Sequence, residues 1–213
     1  MVKPKNYMLV GDHKQSIYRW NGAYPDYLIN LAHDMDVTTY DLNENYRNGY
    51  KILDFARGII NAAGYEYYDR SRPMRGVSGK VVDVEYSPVA VARAIKSMGD
   101  YKNWFVLTRT NDQLDEMAFF LKKEGIPIDT FKRSELDNKE LGKKMKEDTV
   151  KVLPIHTAKG LEANNVVVIG AKFFNIEERC VSYVAATRAK NLLVWTKMPN
   201  RTRKAQQMTS WER

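Results

Sequence analysis

The strongest constraint on the fold is an alternation of two periodicities. Short apolar runs rich in β-branched and aromatic residues recur along the chain: Trp104–Thr108 (WFVLT), Lys151–Ile155, Val166–Ile169 and Leu192–Thr196. Their length and composition suit buried strands. Lys80–Tyr86 (KVVDVEY) is β-rich as well, and Tyr7–Val10 reads as a strand feeding a turn at Gly11-Asp12. Between these runs lie segments of helical spacing. Tyr50–Ala63 places Ile52, Leu53, Ala56, Ile59 and Ile60 on one face. Ser87-Pro88 supplies a cap and a first-turn proline for a helix reaching Met98. Further helices are expected over Pro25–His33, Gln113–Lys123 and Glu178–Ala189. Strands alternating with helices imply βαβ units, hence an α/β fold with a mainly parallel sheet and helices on both faces. Such sheets bind ligands at the carboxyl ends of their strands.

Composition narrows the function classes. A content of 44% hydrophobic and 28% charged residues is that of an ordinary globular chain. No apolar run approaches the ~20 residues of a bilayer span, and the N-terminal apolar run is too short for a signal-peptide core, so a cytoplasmic protein without a membrane partner is expected. Cys180 is the one cysteine and suits a small buried hydrophobe. His13, His33 and His156 lack metal-ligand spacing. The excess of 34 Lys and Arg over 26 Asp and Glu, a net charge of +8, favours polyanion partners.

Four clusters carry candidate chemistry. In Val10–Ala23 (VGDHKQSIYRWNGA), Gln15 follows a strand, and Tyr18, Arg19 and Trp20 stand together. Adjacent aromatics with an arginine suit stacking on exposed bases, and equally suit packing on their own domain. In Leu42–Asn48 (LNENYRN), Arg47 lies beside a helix start, a favourable anion site. In Pro154–Gly170, His156, Thr157 and Lys159 occupy a polar loop, Gly160 permits a turn, and Glu162 follows. In Glu177–Trp195, Arg188 sits near a helix end beside Thr187; a surface salt bridge is the plain alternative.

In this order the clusters resemble motifs three, four, five and six of the UvrD/Rep-like superfamily 1 DNA helicases, and the likeness runs from about Tyr7 to Thr196. The resemblance implies a RecA-like domain of the P-loop NTPase type, the second of two motor lobes with ATP between them. It implies that Gln15 senses the γ-phosphate, that Tyr46 packs on adenine, and that Glu162 bonds the ribose. Arg47 and Arg188 look like arginines reaching the γ-phosphate, where such fingers are worth about 10³–10⁵ in rate. Tyr18, Trp20, His156 and Lys159 look like contacts to single-stranded DNA. This chain departs from the family pattern at Asn21, where arginine is usual, at Pro154, where threonine is usual, and at Ala163, where an aromatic is common.

Equally informative is what the sequence omits. There is no GxxxxGK[ST] loop; Gly76–Lys80 (GVSGK) lacks its spacing and the following Ser/Thr. The magnesium-binding acidic pair is absent too. The expectation is therefore residues 1–30 as a remnant of the first lobe, 31–196 as the second lobe, and 197–213 as a basic tail. ATP and Mg²⁺ are the expected cofactors, with the metal's ligands supplied by a P-loop-bearing N-terminal half. That half and single-stranded DNA are the expected partners. Alone, the chain should be an inactive half of an ATP-dependent 3'-to-5' helicase; a DNA-binding module or inactive remnant without ATPase function is the alternative. The strand at Tyr7–Val10, lacking neighbours, should seek another chain.

Overall fold

The structure, a computed structural model, describes residues 8–34, 38–64, 67–132 and 142–199. Its centre is a six-stranded sheet formed by β3 (Lys80–Glu85), β4 (Trp104–Thr108), β5 (Ile128–Thr130), β6 (Val150–Pro154), β7 (Ala163–Ile169) and β8 (Ala189–Lys197). The order is β3-β8-β7-β4-β6-β5, and every pairing is parallel. Two very short strands, β1 (Glu44–Asn45) and β2 (Arg72–Pro73), pair separately. The helices are α1 (Asp26–Asp34), α2 (Tyr50–Asn61), α3 (Pro88–Met98), α4 (Asn111–Lys123) and α5 (Ile176–Ala186).

The two-residue period of the strands sorts the core into two layers. Phe105, Leu107, Leu153, Val166, Val168, Leu193 and Trp195 pack toward α2 and α5. Trp104, Val106, Val150, Val152, Val167 and Ile169 pack toward α3 and α4. Both faces are covered, which explains why the central strands read as unbroken apolar runs. Cys180 is buried in the first layer, and that burial pushes its thiol up to about 12.

Local signals set the helix ends. Ser87 caps α3 through Ala90 N–H with Pro88 in the first turn. Thr110 and Gln113 form a reciprocal capping box on α4, and Asn175 caps α5 through Glu178 N–H. The start of α2 depends on a close approach. A Cβ on Gly49 would lie 2.6 Å from the backbone of Gly79, which itself has φ +69°. The contact lets the carbonyls of Val77 and Ser78 accept from the N–H groups of Tyr50 and Lys51.

Three expectations need correction. Residues 8–10 form no strand, and Met8, Leu9 and Val10 are 89%, 66% and 77% exposed; Tyr7 lies outside the described residues. A strand is held by a neighbour's amides and carbonyls, and the sheet edges, β3 and β5, do not reach this segment. The chain docks a few residues later, through Ile17, which is fully buried in the α2–α5 layer. Second, β5 is a strand that no apolar run in the sequence announces. It is held by Lys151, whose side chain is wholly buried yet ion-paired with Asp129 at 3.6 Å. Its ammonium also donates to the Glu147 and Thr149 carbonyls at 2.8 and 3.0 Å, while burial lowers its pKa. Third, α5 stops at Ala186, and Lys197, expected to open a tail, ends β8; residues 200–213 lie outside the described set.

One ion pair ties the carboxyl end of the sheet to α5. Arg109, just past β4, donates Nε and Nη2 to the two carboxylate oxygens of Glu178 at 3.0 and 2.6 Å. The arginine holds the Glu178 carboxyl below its ordinary pKa. A depressed carboxyl pKa contributes stability above the unfolded-state value of about 4.3 and loses it as pH falls through the folded one. Glu178→Gln should therefore cost about 1–3 kcal/mol at neutral pH. The gap between variant and wild type should close in urea titrations carried down through that acid range. A gap that persists below the ordinary glutamate pKa would contradict this account.

Candidate nucleotide and nucleic-acid site

The turn at Asn43–Asn48 is fastened by its own asparagines. Asn45 Oδ1 accepts from the N–H groups of Arg47 and Asn48 at 3.0 and 2.9 Å. Asn48 is fully buried, and its amide nitrogen donates to the carbonyls of Thr187 and Ala189 at 3.1 and 2.6 Å. Those carbonyls flank Arg188. The side chain of Asn48 thus binds the Arg47 turn to the Arg188 turn, segments about 140 positions apart in sequence.

The expectation that the helix start beside Arg47 serves as an anion site is not met. The first N–H groups of α2 are taken by Val77 and Ser78, and Gly49 N–H by the Lys190 carbonyl. Side chains supply the anion-binding character instead. Arg47 Nε donates to Glu162 Oε2 at 2.7 Å, and Lys190 Nζ meets Glu162 Oε1 at 2.5 Å. Lys190 first and Arg47 second hold the Glu162 carboxyl below its usual pKa. Tyr46, Arg47, Arg75, Glu162, Asn164 and Lys190 line an open cleft of about 490 Å³. Tyr46 is 65% exposed, and its hydroxyl donates to Glu44, which raises the phenol's pKa. The turn that delivers Glu162 uses Gly160 at φ +86°, the glycine expected to permit it.

Arg188 lies beneath this cleft, 1% exposed. It sits in the turn after α5, where Nε donates to the Val184 carbonyl at 2.9 Å, Nη1 to the Leu161 carbonyl at 3.2 Å and Nη2 to Thr187 Oγ1 at 3.0 Å. It is not a surface salt bridge. Burial, then the repelling charge of Arg47, pulls its pKa down to about 10, so the guanidinium stays protonated at neutral pH. Arg47, Glu162 and Arg188 are thus gathered around the Leu161–Glu162 turn, and Tyr46 lies beside them.

The second group of candidates also assembles. Tyr18 hydroxyl donates to the His156 carbonyl at 2.8 Å, with the two rings 5.9 Å apart. Trp20 meets Tyr18 edge-on at 6.3 Å and is 60% exposed, while Lys159 Nζ stands 5.3 Å from the Tyr18 ring. Gln15 lies in the short His13–Gln15 turn that Asp12 caps. Its amide donates to Asp12 Oδ2 at 2.8 Å, and the Asp12 charge in turn favours the protonated form of Arg188. Aromatic faces, one exposed, beside a cation make a surface suited to stacked bases and a phosphate backbone.

Sequence reasoning missed Asn48, Arg75, Asn164 and Lys190. Lys190 and Asn164 open strands β8 and β7, where period-two alternation could have flagged polar residues at a strand end. Arg75 lies in a stretch without periodicity, and no local signal marks it.

Known proteins bear on these arrangements. A family model described as the UvrD-like helicase C-terminal domain matches residues 128–200, and one described as the UvrD/REP helicase N-terminal domain matches residues 1–36. A probable DNA helicase of Mycoplasma pneumoniae is 28% identical over 210 residues, covering 88% of this chain and 37% of that protein. A probable DNA helicase II homolog of Mycoplasma genitalium is 41% identical over 148 residues, covering 60% of this chain and 21% of its own length. An ATP-dependent DNA helicase PcrA of Leuconostoc citreum is 30% identical over 137 residues, covering 59% and 18%. The chain therefore spans well under half the length of these curated relatives. A solved C-terminal domain of a possible DNA helicase from Lactobacillus plantarum aligns with TM-score 0.49 and 20% identity, covering 72% of this chain and 88% of that one. Residues 128–200 thus match the UvrD-like helicase C-terminal domain and residues 1–36 the N-terminal domain of the same helicases, and the chain is similar to DNA helicases of that kind over most of its length.

Proposed function

We propose that this chain is the second motor lobe of an ATP-dependent DNA helicase, acting in the cytoplasm on single-stranded DNA. Residues 1–30 count with the first lobe, 31–196 form the second, and a basic tail follows. The observation that carries the reading is the meeting of three remote segments, at Arg47, Glu162 and Arg188, in and under one cationic cleft. ATP fits the donor set: cations for its phosphates, a carboxylate for ribose hydroxyls, and the exposed Tyr46 ring for adenine. In this reading Arg47 and Arg188 stabilise charge on the γ-phosphate, and Gln15 couples that phosphate to the DNA loop. Tyr18, Trp20, His156 and Lys159 form part of the DNA track, with 3'-to-5' movement inferred from the resemblance.

The phosphate-binding loop is not among the 213 residues, so the reading requires a P-loop-bearing half as partner. No group of three or more His, Cys, Asp or Glu among the described residues is arranged to hold a metal. Mg²⁺ would arrive with ATP and take its protein ligands from that half. A second reading, a single-stranded DNA-binding module without ATPase function, is favoured by one observation: the Tyr18–His156–Lys159 group assembles entirely within this chain.

Complementation separates the two. The purified chain should release phosphate from ATP at background rate, and adding the P-loop half should create DNA-stimulated turnover. Arg47→Ala or Arg188→Ala should then lower turnover by about a thousandfold. Turnover by the chain alone, or none after complementation, would sink the first reading.

Oligo-dT binding, followed by fluorescence anisotropy, should weaken steeply between about 50 and 200 mM salt. Trp20→Ala should cost roughly 1–3 kcal/mol if a base stacks on that ring. A folded Trp20→Ala variant with unchanged affinity would assign Trp20 to packing alone.

A further inference from the structure

The cleft holds more positive charge than its carboxylate neutralises. Arg47 and Lys190 grip opposite oxygens of Glu162 at 2.7 and 2.5 Å. Arg75 touches no carboxylate. Its Nη1 donates to the carbonyls of Arg47 and Lys190 at 2.9 and 3.0 Å, and its Nη2 to Asn191 Oδ1 at 2.9 Å. Among the described residues no Asp or Glu lies within ion-pair distance of Arg75. Carbonyl and amide oxygens orient a guanidinium without cancelling its charge. Three cations therefore share one anion in an open cleft, and Glu44, the other nearby acid, is engaged by the Tyr46 hydroxyl.

The bonds of Arg75 matter as much as its charge. It is fixed to the backbone of the two residues that carry the other cations, so the three charges hold a set spacing. A fixed arc of cations matches an anion with several oxygens spread along a chain better than a single compact ion. Glu162, half-exposed, is the only carboxylate among the described residues lining the cleft, and it occupies two of those cations from within.

We infer that Arg75 and Lys190 are phosphate ligands for a polyphosphate, and that Glu162 is an internal anion holding Arg47 and Lys190 in place until that ligand takes them over. This rests on the nucleotide reading of the cleft and adds the ligands and the competitor. The exchange breaks no covalent bond: phosphate oxygens replace carboxylate oxygens on the same donors, and Glu162 is freed to accept from a hydroxyl.

Titration calorimetry of the full chain with inorganic tripolyphosphate and with orthophosphate tests it. Tripolyphosphate should bind more tightly than orthophosphate. Lys190→Ala and Arg75→Ala should each weaken it about tenfold, while Lys96→Ala, on the exposed side of α3, should not. Glu162→Gln should tighten it, because the competitor is neutralised. Arg75 also stitches two turns, so its variant is read beside a thermal melt, and Lys190→Ala carries the test if Arg75→Ala unfolds. Undetectable tripolyphosphate binding, or affinity unchanged in Lys190→Ala, overturns the ligand assignment; affinity unchanged or lowered in Glu162→Gln overturns the internal-anion role. Loss on Arg47→Ala alone sinks the inference and leaves the nucleotide reading standing, whereas loss on the other two alone does the reverse.

Discussion

The carboxamide of Asn48 gives its protons to the carbonyls on either side of Arg188, deep inside the molecule. Much of the candidate site depends on that pair of bonds. Without it the turn bearing Arg47 has no fixed height above the turn bearing Arg188, and the Thr187 and Ala189 carbonyls lose a buried donor, a loss worth about 1–3 kcal/mol for each group left unsatisfied. The bonds also set the start of β8 against the start of α2, because Gly49 follows Asn48 and donates to the Lys190 carbonyl. Arg75 then closes the same junction from the other side. Arg47 and Lys190 are thus held in position through their backbones, which leaves Glu162 as the partner of their side-chain charges.

The parallel sheet explains why two different surfaces can share one small domain. The carboxyl ends of β4 and β6 lead into Arg109 and His156, on the side where Tyr18, Trp20 and Lys159 gather. The starts of β7 and β8 carry Glu162, Asn164 and Lys190 into the cleft. The loop from His156 to Glu162 connects the two, passing from the aromatic shelf to the arginines within seven positions. Any ligand that moves Glu162 pulls on a segment whose other end holds Tyr18.

Much of this was legible in the sequence, and the exceptions have physical causes. The strands and helices of the body were readable because both sheet faces are covered, which forces apolar runs and amphipathic helices. The β5 strand was hidden because its stability comes from a buried lysine and an aspartate, residues that read as surface. The expected strand at Tyr7–Val10 failed for the opposite reason: its composition is right, but strand formation needs a neighbour, which no local pattern supplies. The candidate site residues were named through their motif resemblance, and the structure gathers Arg47, Glu162 and Arg188 at one turn. The contacts that arrange them, from Asn48 and Arg75, were not, since a single buried amide or a backbone-anchored arginine leaves no periodic trace.

The two candidate arginines are held in opposite ways. Arg47 is half-exposed and paired with a carboxylate that can be exchanged for another anion. Arg188 is buried and bonded to carbonyls and a hydroxyl, with no carboxylate among the described residues within ion-pair distance. Keeping an uncompensated guanidinium out of water is costly, and the lowered pKa near 10 records that cost. What limits it is the end of α5: the Val184 carbonyl belongs to the last turn of that helix, whose dipole favours a cation. The remaining holds are the Thr187 hydroxyl and the Leu161 carbonyl, the latter next to Glu162. An anion that displaces Glu162 from Arg47 and Lys190 acts, on the proposed reading, on the turn that carries one of the Arg188 contacts. On the proposed reading, the buried arginine answers to the phosphate through the same turn that the exposed one releases.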